Sequence, residues 1–334
     1  MFHYGSKLPF INYKEEDSVK RIVPIFFIIN LLSFVSCERA TNSRDVNDST
    51  YLSVAVLPVY DCIPFYYAEQ EGLFDSIGVN VKLVTYNSAM DADTAFAKGK
   101  VHGAVTDIVK ASLWMSKGDS MKIVMAIDPE ISLVTSMSAR LFKPDDIKEK
   151  IIAITRHSML DFTTDEILRS VKMSSEDLNK PQINDIILRT QMNNQNQYDG
   201  ALLPEPYTQE TTKMCGAKLL TSTYKLGLHY LAALVFNDSI INNRHEDVAK
   251  LIKAYTIATE RLNRNKEYPL RYLPNNVYTD IPDTIFEYKQ IAEPKLPSDT
   301  LLQKVNTWLI GRKLIKESVN YKSLVDTTFI NRQK

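Results

Sequence analysis

Apolar positions along this chain fall into short runs separated by polar, glycine-punctuated stretches, and two kinds of run alternate. Residues 51–57 are nearly all apolar, as expected of a strand covered on both faces. Pro64 then sits where a helix would open, Phe65, Tyr66, Tyr67 and Ala68 form its body, and Gly72 stops it. A strand is predicted over 79–85. Ser88 and Asp91 follow as an S-x-x-D cap before a helix that ends at Gly99. A strand over 101–105 leads to a helix over 108–117, closed by Gly118, and strands over 122–127 and 131–137 come next. The alternation restarts with a strand over 151–155, a second S-x-x-D cap at Ser158 and Asp161, and a helix over 162–171. Strands are predicted over 199–203, 218–220 and 230–236. Val248, Leu251, Ile252, Tyr255 and Leu262 keep helical spacing, and the part through Trp308 and Leu324 reads as helical.

Strand–helix alternation predicts a mostly parallel sheet with helices on its faces. The pattern runs twice, from 51 to about 135 and from about 150 to 220, so two α/β lobes are expected. Ligands in such sheets bind outside the carboxyl ends of the strands. The segments after the strands are polar: Tyr60-Asp61-Cys62, Asn87-Ser88-Ala89-Met90, Thr106-Asp107, Asp128-Pro129, Arg156-His157-Ser158 and Pro204-Glu205-Pro206-Tyr207. A helix N-terminus offers unpaired N–H groups and roughly half a positive charge, enough to hold a small anion or polar ligand. Ser88 and Ser158 can each be such a site or only a cap. The candidate ligand residues are therefore Tyr60, Asp61, Cys62, Ser88, Ala89, Met90, Thr106, Asp107, Arg156, His157, Ser158 and Glu205.

The N-terminal residues are of a different kind. Lys20-Arg21 precede an apolar run from Ile22 to Val35, broken by Pro24, Asn30 and Ser33. The run is shorter than the about 20 residues of a membrane-spanning helix but suits a signal-peptide core. It ends in Phe34-Val35-Ser36-Cys37, which resembles a bacterial lipoprotein cleavage site with Cys37 acylated. Phe34 and Val35 depart from the usual pattern there, and a plain signal peptide or an uncleaved anchor are the other readings. Residues 38–50 are polar and read as a tether. The organisation expected is a leader over 1–37, a tether over 38–50, the first part of lobe 1 over 51–136, lobe 2 over 137–235, and the completion of lobe 1 over 236–334.

Composition changes this picture by exclusion. The 334 residues carry 40 Lys+Arg and 40 Asp+Glu, so no bulk positive charge is available to neutralise a polyanion, and nucleic acid is not an expected partner. Tyr 17 and Phe 13 supply ample core. With only 10 glycines there is neither G-x-G-x-x-G nor a P-loop, and no cofactor is expected. The 5 histidines are dispersed, without H-E-x-x-H or paired spacing, so no metal site is expected. The 3 cysteines cannot form a disulfide scaffold. Cys62 can be a reactive thiol in a ligand loop or a small buried hydrophobe. A Cys62–Cys215 bridge would join different lobes and oppose hinge motion.

Four stretches resemble one family. Residues 63–74, Ile-Pro-Phe-Tyr-Tyr-Ala-Glu-Gln-Glu-Gly-Leu-Phe, look like the PF-x-x-A-x-x-x-G-(L/F)-F stretch of ABC-transporter substrate-binding proteins for nitrate, alkanesulfonates and the thiamine pyrimidine precursor. Ser88 to Asp91, with Phe96 and the run Gly99 to Asp107, is similar to a second stretch of that family. Residues 199–206 resemble its D-A-x-L-x-E-P stretch, and 321–326 its C-terminal one. The resemblance spans roughly 51–330 and keeps the family's order. It implies a type II periplasmic binding protein: two lobes joined by crossing strands, which would be 131–137 and 230–236, closing on a ligand. It implies no catalysis, a permease and an ATPase as separate partner chains, a monomer, and a place at the cell envelope, lipid-anchored and facing the periplasm or exterior.

An enzyme on the same two-lobed fold is the alternative. No G-x-S-x-G elbow is present. A related pyrimidine synthase is marked by a cysteine-rich motif that this chain lacks, and a menaquinone-pathway dehydratase of this fold would need no leader. For the ligand, Arg156 and two helix N-termini could hold a nitrate or sulfonate. Asp61, Asp107, Asp128 and Glu205 would instead suit an amine-bearing heterocycle such as an aminopyrimidine, with Tyr60, Tyr66 or Tyr207 stacking on its ring.

Overall fold

The computed structural model describes residues 50–266, 268–274 and 281–330. The leader at 1–37, the Cys37 acylation site and the tether up to residue 49 lie outside the described residues. The first lobe opens with β1 (Leu52–Val56), β2 (Val81–Thr85), β3 (Gly103–Asp107) and β4 (Met121–Ile127). Its helices are α1 (Ile63–Gln70), α2 (Leu73–Ile77), α3 (Ala89–Ala97) and α4 (Ile108–Ser116). β1 and β3 are buried at every position, as their apolar runs require. Gly72 and Gly99, which end the predicted helices, both hold a positive φ that a side chain would oppose.

The chain then enters the second lobe: β5 (Ile131–Thr135), β6 (Ile152–Ala153), α5 (Met159–Ser170), α6 (Ile186–Asn194), β7 (Gly200–Pro204) and β8 (Leu219–Ser222). It returns through β9 (Ala232–Asn237), α7 (His245–Asn265), α8 (Asp299–Gly311) and α9 (Tyr321–Leu324). One sheet has the order β2-β1-β3-β9-β4 and the other β6-β7-β5-β8. α7 packs against α1 and α2, while α8 and α9 pack on α4, so the C-terminal part completes the first lobe.

Each sheet is mixed rather than parallel throughout. β9 runs against β3 and β4, and β5 runs against β7 and β8. These are the two strands that the chain enters directly from the other lobe. Ile131, the first residue of β5, pairs with Pro204, the last of β7, and Ala232 pairs with Asp107 and Ile127 at the ends of β3 and β4. A chain that crosses at the carboxyl ends of one sheet arrives at the carboxyl ends of the other and must run away from them. Gly103 permits the return: a Cβ there would lie 2.4 Å from the Phe236 ring on β9.

The crossings differ from the expectation. β5 lies wholly in the second sheet and β9 wholly in the first, so neither 131–137 nor 230–236 is a crossing strand. The chain crosses instead through residues 128–130 and 223–231. The boundaries read at 136 and 235 therefore move toward the N-terminus. The apolar run of β4 continues past Asp128-Pro129-Glu130 into β5, and hydropathy alone does not mark where one sheet stops. Two further differences are α6, which the reading lacked, and residues 281–297, which carry no helix.

Candidate functional site

The carboxyl ends of the two sheets face each other, and a cavity lies between them. The centre of a water molecule can range over about 50 Å³ inside it. Lobe 1 contributes Asp61, Ala89, Thr106, Asp107 and Ala232; lobe 2 contributes Thr155, Ser158, Met159 and Arg189; Pro129 comes from the first crossing. A second cavity of about 40 Å³ shares Asp61 and Pro129 with it and adds Tyr60, Asp128, Glu130, Glu205, Tyr224 and Lys289. A larger open groove of about 930 Å³, beside residues 293–299 and 320–322, shares no residue with either.

The walls are held locally by the features that the sequence predicts. Ser88 caps α3, its hydroxyl accepting the Asp91 amide at 3.3 Å. Asp107 caps α4 by accepting the Lys110 amide at 2.8 Å. The Ser158 hydroxyl accepts the Leu160 amide at 3.1 Å and donates to the Thr155 carbonyl at 2.7 Å. The Thr106 hydroxyl donates to Asp93 at 2.7 Å. Burial pushes the Asp93 carboxyl up to about 7, against the Thr106 hydrogen bond. Burial also raises the Asp107 carboxyl, with the Lys110 and Met159 backbone amides working against the rise.

Of the twelve candidate ligand residues, Asp61, Ala89, Thr106, Asp107 and Ser158 line the first cavity, and Tyr60 and Glu205 line the second. The other five line neither. Cys62 is fully buried, and burial holds its thiol well above the ordinary range. It is the small buried hydrophobe, and neither Cys62 nor Cys215 is in a disulfide. Ser88 is buried behind its cap, bridged to Asp185 of lobe 2. Met90 is 41% exposed and meets Asn184 of lobe 2 at 3.3 Å through its sulfur. Arg156 is exposed and donates to the Lys180 carbonyl. His157 is exposed at φ 54°, a left-handed conformation that turns the loop before Ser158. The three tyrosines read as stacking partners are engaged elsewhere. Tyr60 donates to the Lys289 carbonyl, Tyr66 to the Leu57 carbonyl and Tyr207 to the Pro58 carbonyl.

The carboxylates divide in the same way. Asp128 accepts from the Tyr230 amide at 2.6 Å and contacts His229 at 3.0 Å. The Lys289 ammonium lies 2.7 Å from Glu130 and 2.5 Å from Glu205. Burial raises Glu205, with Lys289 opposing. Only the Asp61 carboxyl lacks a side-chain partner among these groups. Burial, with Asp128 adding to the effect, pushes it up to about 7. The residue that sequence reasoning missed is Arg189 of α6, fully buried in the cavity wall. Burial brings its guanidinium down to about 10, which keeps it charged at neutral pH. Asp185, which caps α6 by accepting the Leu188 amide, is the signal that could have revealed this helix.

Two α/β lobes joined by two crossings around a shared cavity are the architecture of the periplasmic binding proteins. The alkanesulfonate-binding protein SsuA of Xanthomonas axonopodis, solved with MOPS, superposes with a TM-score of 0.70 at 14% identity, over 81% of this chain and 96% of SsuA. A curated relative from Brachyspira hyodysenteriae, described as an ABC transporter periplasmic binding protein, is 21% identical over 275 residues, 77% of this chain and 78% of its own length. The fold also occurs in the enzyme DszB, solved as a cysteine-to-serine variant with biphenyl-2-sulfinic acid, with a TM-score of 0.62 at 12% identity over 84% of this chain and 97% of DszB. The NMT1/THI5-like family model matches residues 60–267, and the chain belongs to that family. No described helix is long and apolar enough to cross a membrane.

Proposed function

We propose that this protein is the substrate-binding component of an ABC import system, anchored by a lipid on Cys37, that captures a small polar ligand between its lobes and delivers it to a separate permease. The observation that carries this reading is the cavity walled by both lobes and the first crossing. A ligand there touches both lobes, so binding and closure are linked. The relatives' descriptions as transporter binding proteins support the same reading. The lipid keeps the receptor at high effective concentration near its permease.

The enzyme reading has one observation in its favour, since Asp61 and Asp107 are raised carboxyls in one cavity. Desolvation is the leading cause of both shifts, however, and any enclosed binding site produces it. Asp107 is committed to its helix cap, and the Cys62 thiol is buried and protonated, hence no nucleophile. Receptor function is tested by thermal shift of the chain against aminopyrimidines, sulfonates, nitrate and amines. A ligand at 100 times its Kd adds about 2.7 kcal/mol of stability. The bound ligand is recovered intact by mass spectrometry, and recovery of a converted product would make the protein an enzyme. Anchoring is tested separately: Cys37→Ser releases the protein from the membrane fraction and abolishes incorporation of labelled fatty acid. Retention of both in the variant refutes the lipid anchor.

A further inference from the structure

Two charged side chains in the first cavity make no ion pair among the described residues, although Asp185, at the start of α6, acts on Arg189 from beyond ion-pair distance. Asp61 stands on lobe 1 and is 8% exposed. The neighbouring carboxylates are occupied: Asp128 by His229 and the Tyr230 amide, Glu130 and Glu205 by Lys289, and Asp107 by the Lys110 amide. The hydrogen bond that reaches Asp61 from another residue goes to its backbone carbonyl, from Tyr255. Arg189 stands on lobe 2 and is 1% exposed. Its Nε donates to the Leu202 carbonyl at 3.1 Å, and its Nη1 donates to Thr155 at 3.3 Å and to the Ile183 carbonyl at 2.6 Å. A guanidinium has five N–H donors, and these bonds use three. Among the described residues the two donors of Nη2 have no acceptor, and no carboxylate lies within ion-pair distance of Arg189.

A charge taken out of water without a partner is costly, and a site that keeps two of opposite sign is incomplete without what joins them. Asp61 and Arg189 are not joined to each other, yet both line the same cavity, one from each lobe. We propose that the ligand is a small zwitterion, its protonated amine held by the Asp61 carboxylate and its carboxylate or sulfonate held by the free face of the Arg189 guanidinium. The two free N–H groups both stand on Nη2 and diverge, and each can give a charge-assisted bond to an oxyanion oxygen. One end of the ligand would rest on each lobe, so a molecule lacking either end would hold only one side of the cleft. The assignment rests on the receptor reading and narrows its ligand class.

The test is calorimetric titration of the purified chain with probes of matched length: 2-aminoethanesulfonate and β-alanine as zwitterions, ethanesulfonate and propionate without the amine, and ethylammonium without the anion. At least one zwitterion is expected to bind tenfold or more tighter than either of its halves. Asp61→Asn is expected to weaken that zwitterion at least tenfold while changing ethanesulfonate less than threefold. A half-molecule that binds as tightly as the zwitterions overturns the assignment, as does an Asp61→Asn chain that binds them unchanged. If nitrate or an aminopyrimidine binds and the zwitterions do not, the assignment falls and the receptor reading stands. If no probe of any class binds, both fall.

Discussion

Asp61 makes opposite demands on stability and on binding, and its titration separates them. Its carboxyl sits at about 7 in the folded chain, with Asp128, Glu205, Tyr60, Tyr224 and Lys289 around the adjoining cavity. In the unfolded chain it titrates near ~3.9. Between those values the native state keeps a proton that the unfolded state has lost. Stability therefore falls as pH rises from about 4 to about 7 and levels off above. The charged form costs on the order of a few kcal/mol at pH 8. Asp61→Asn is expected to raise the melting temperature at pH 8 and to flatten its fall between pH 5 and 8. The flattening is partial, because Asp93 titrates in the same range. Scanning calorimetry across that range decides, and a variant that melts no higher at pH 8 with the same slope refutes the account. Binding has the reverse sign. An amine needs the ionised carboxyl, so affinity for 2-aminoethanesulfonate should rise up to about tenfold per unit from pH 5 to 7 and then level. A flat profile would remove Asp61 from the amine contact.

The helix caps show how much of the site is a matter of elements. Ser88 and Ser158 have the same S-x-x-D spacing, and both cap their helices. Only Ser158 lines the cavity. Ser88→Ala is thus expected to lower stability by about 0.5–2 kcal/mol with affinity unchanged, whereas Ser158→Ala lowers both. Denaturation and titration of the two variants check this; equal loss of affinity in both would place Ser88 in the site. The pair also marks the limit of what is legible. A run such as β1 is legible because a strand buried on both faces is mostly apolar, and helices that stop at Gly72 and Gly99 are legible because only glycine takes that turn at low cost. Several of the loops after the strands contribute residues to the walls of the two cavities. Which of their side chains turn inward was not legible. The left-handed His157 sends Arg156 and His157 to the surface and Ser158 into the wall, a choice made by backbone dihedrals and not by residue type. Arg189 was missed because a charged residue on a polar helix reads as solvent-facing until a sheet is known to cover it.

At the scale of the whole molecule, the two lobes touch through more than their crossings, and those contacts set the affinity that any ligand can reach. The Tyr60 amide donates to the Glu205 carbonyl at 2.8 Å and the Ile186 amide to the Asn87 carbonyl at 2.9 Å. On another side α8, packed on α4 of lobe 1, meets α5 of lobe 2. The Trp308 indole donates to Asp165 at 2.8 Å and stacks edge-on against Phe162. Arg312 lies 3.4 Å from Asp165 and 3.7 Å from Asp161, both of which also hold Lys180 at about 3 Å. Each neutral hydrogen bond lost on opening is worth about 0.5–1.5 kcal/mol, and bonds to charged groups about 1.5–3. Apparent affinity scales with the fraction of molecules in the closed form. Arg312→Ala with Trp308→Phe removes two of the lobe-to-lobe polar contacts at α8, leaving the Lys304–Glu166 pair across the lobes at 2.7 Å and the Asp161–Lys180 pair inside lobe 2 intact. The ligand-free double variant is expected to have a larger radius of gyration in small-angle scattering than the parent. Its affinity for the ligand found by screening should fall several-fold, and saturating ligand should return the radius to the parent's liganded value. Raising salt should reproduce only the Arg312 part of this, because that ion pair is partly exposed whereas the Trp308 contact carries no cation. A double variant with the parent's radius and the parent's affinity would mean that Trp308 and Arg312 take no part in closure and that the other contacts between the lobes set their distance.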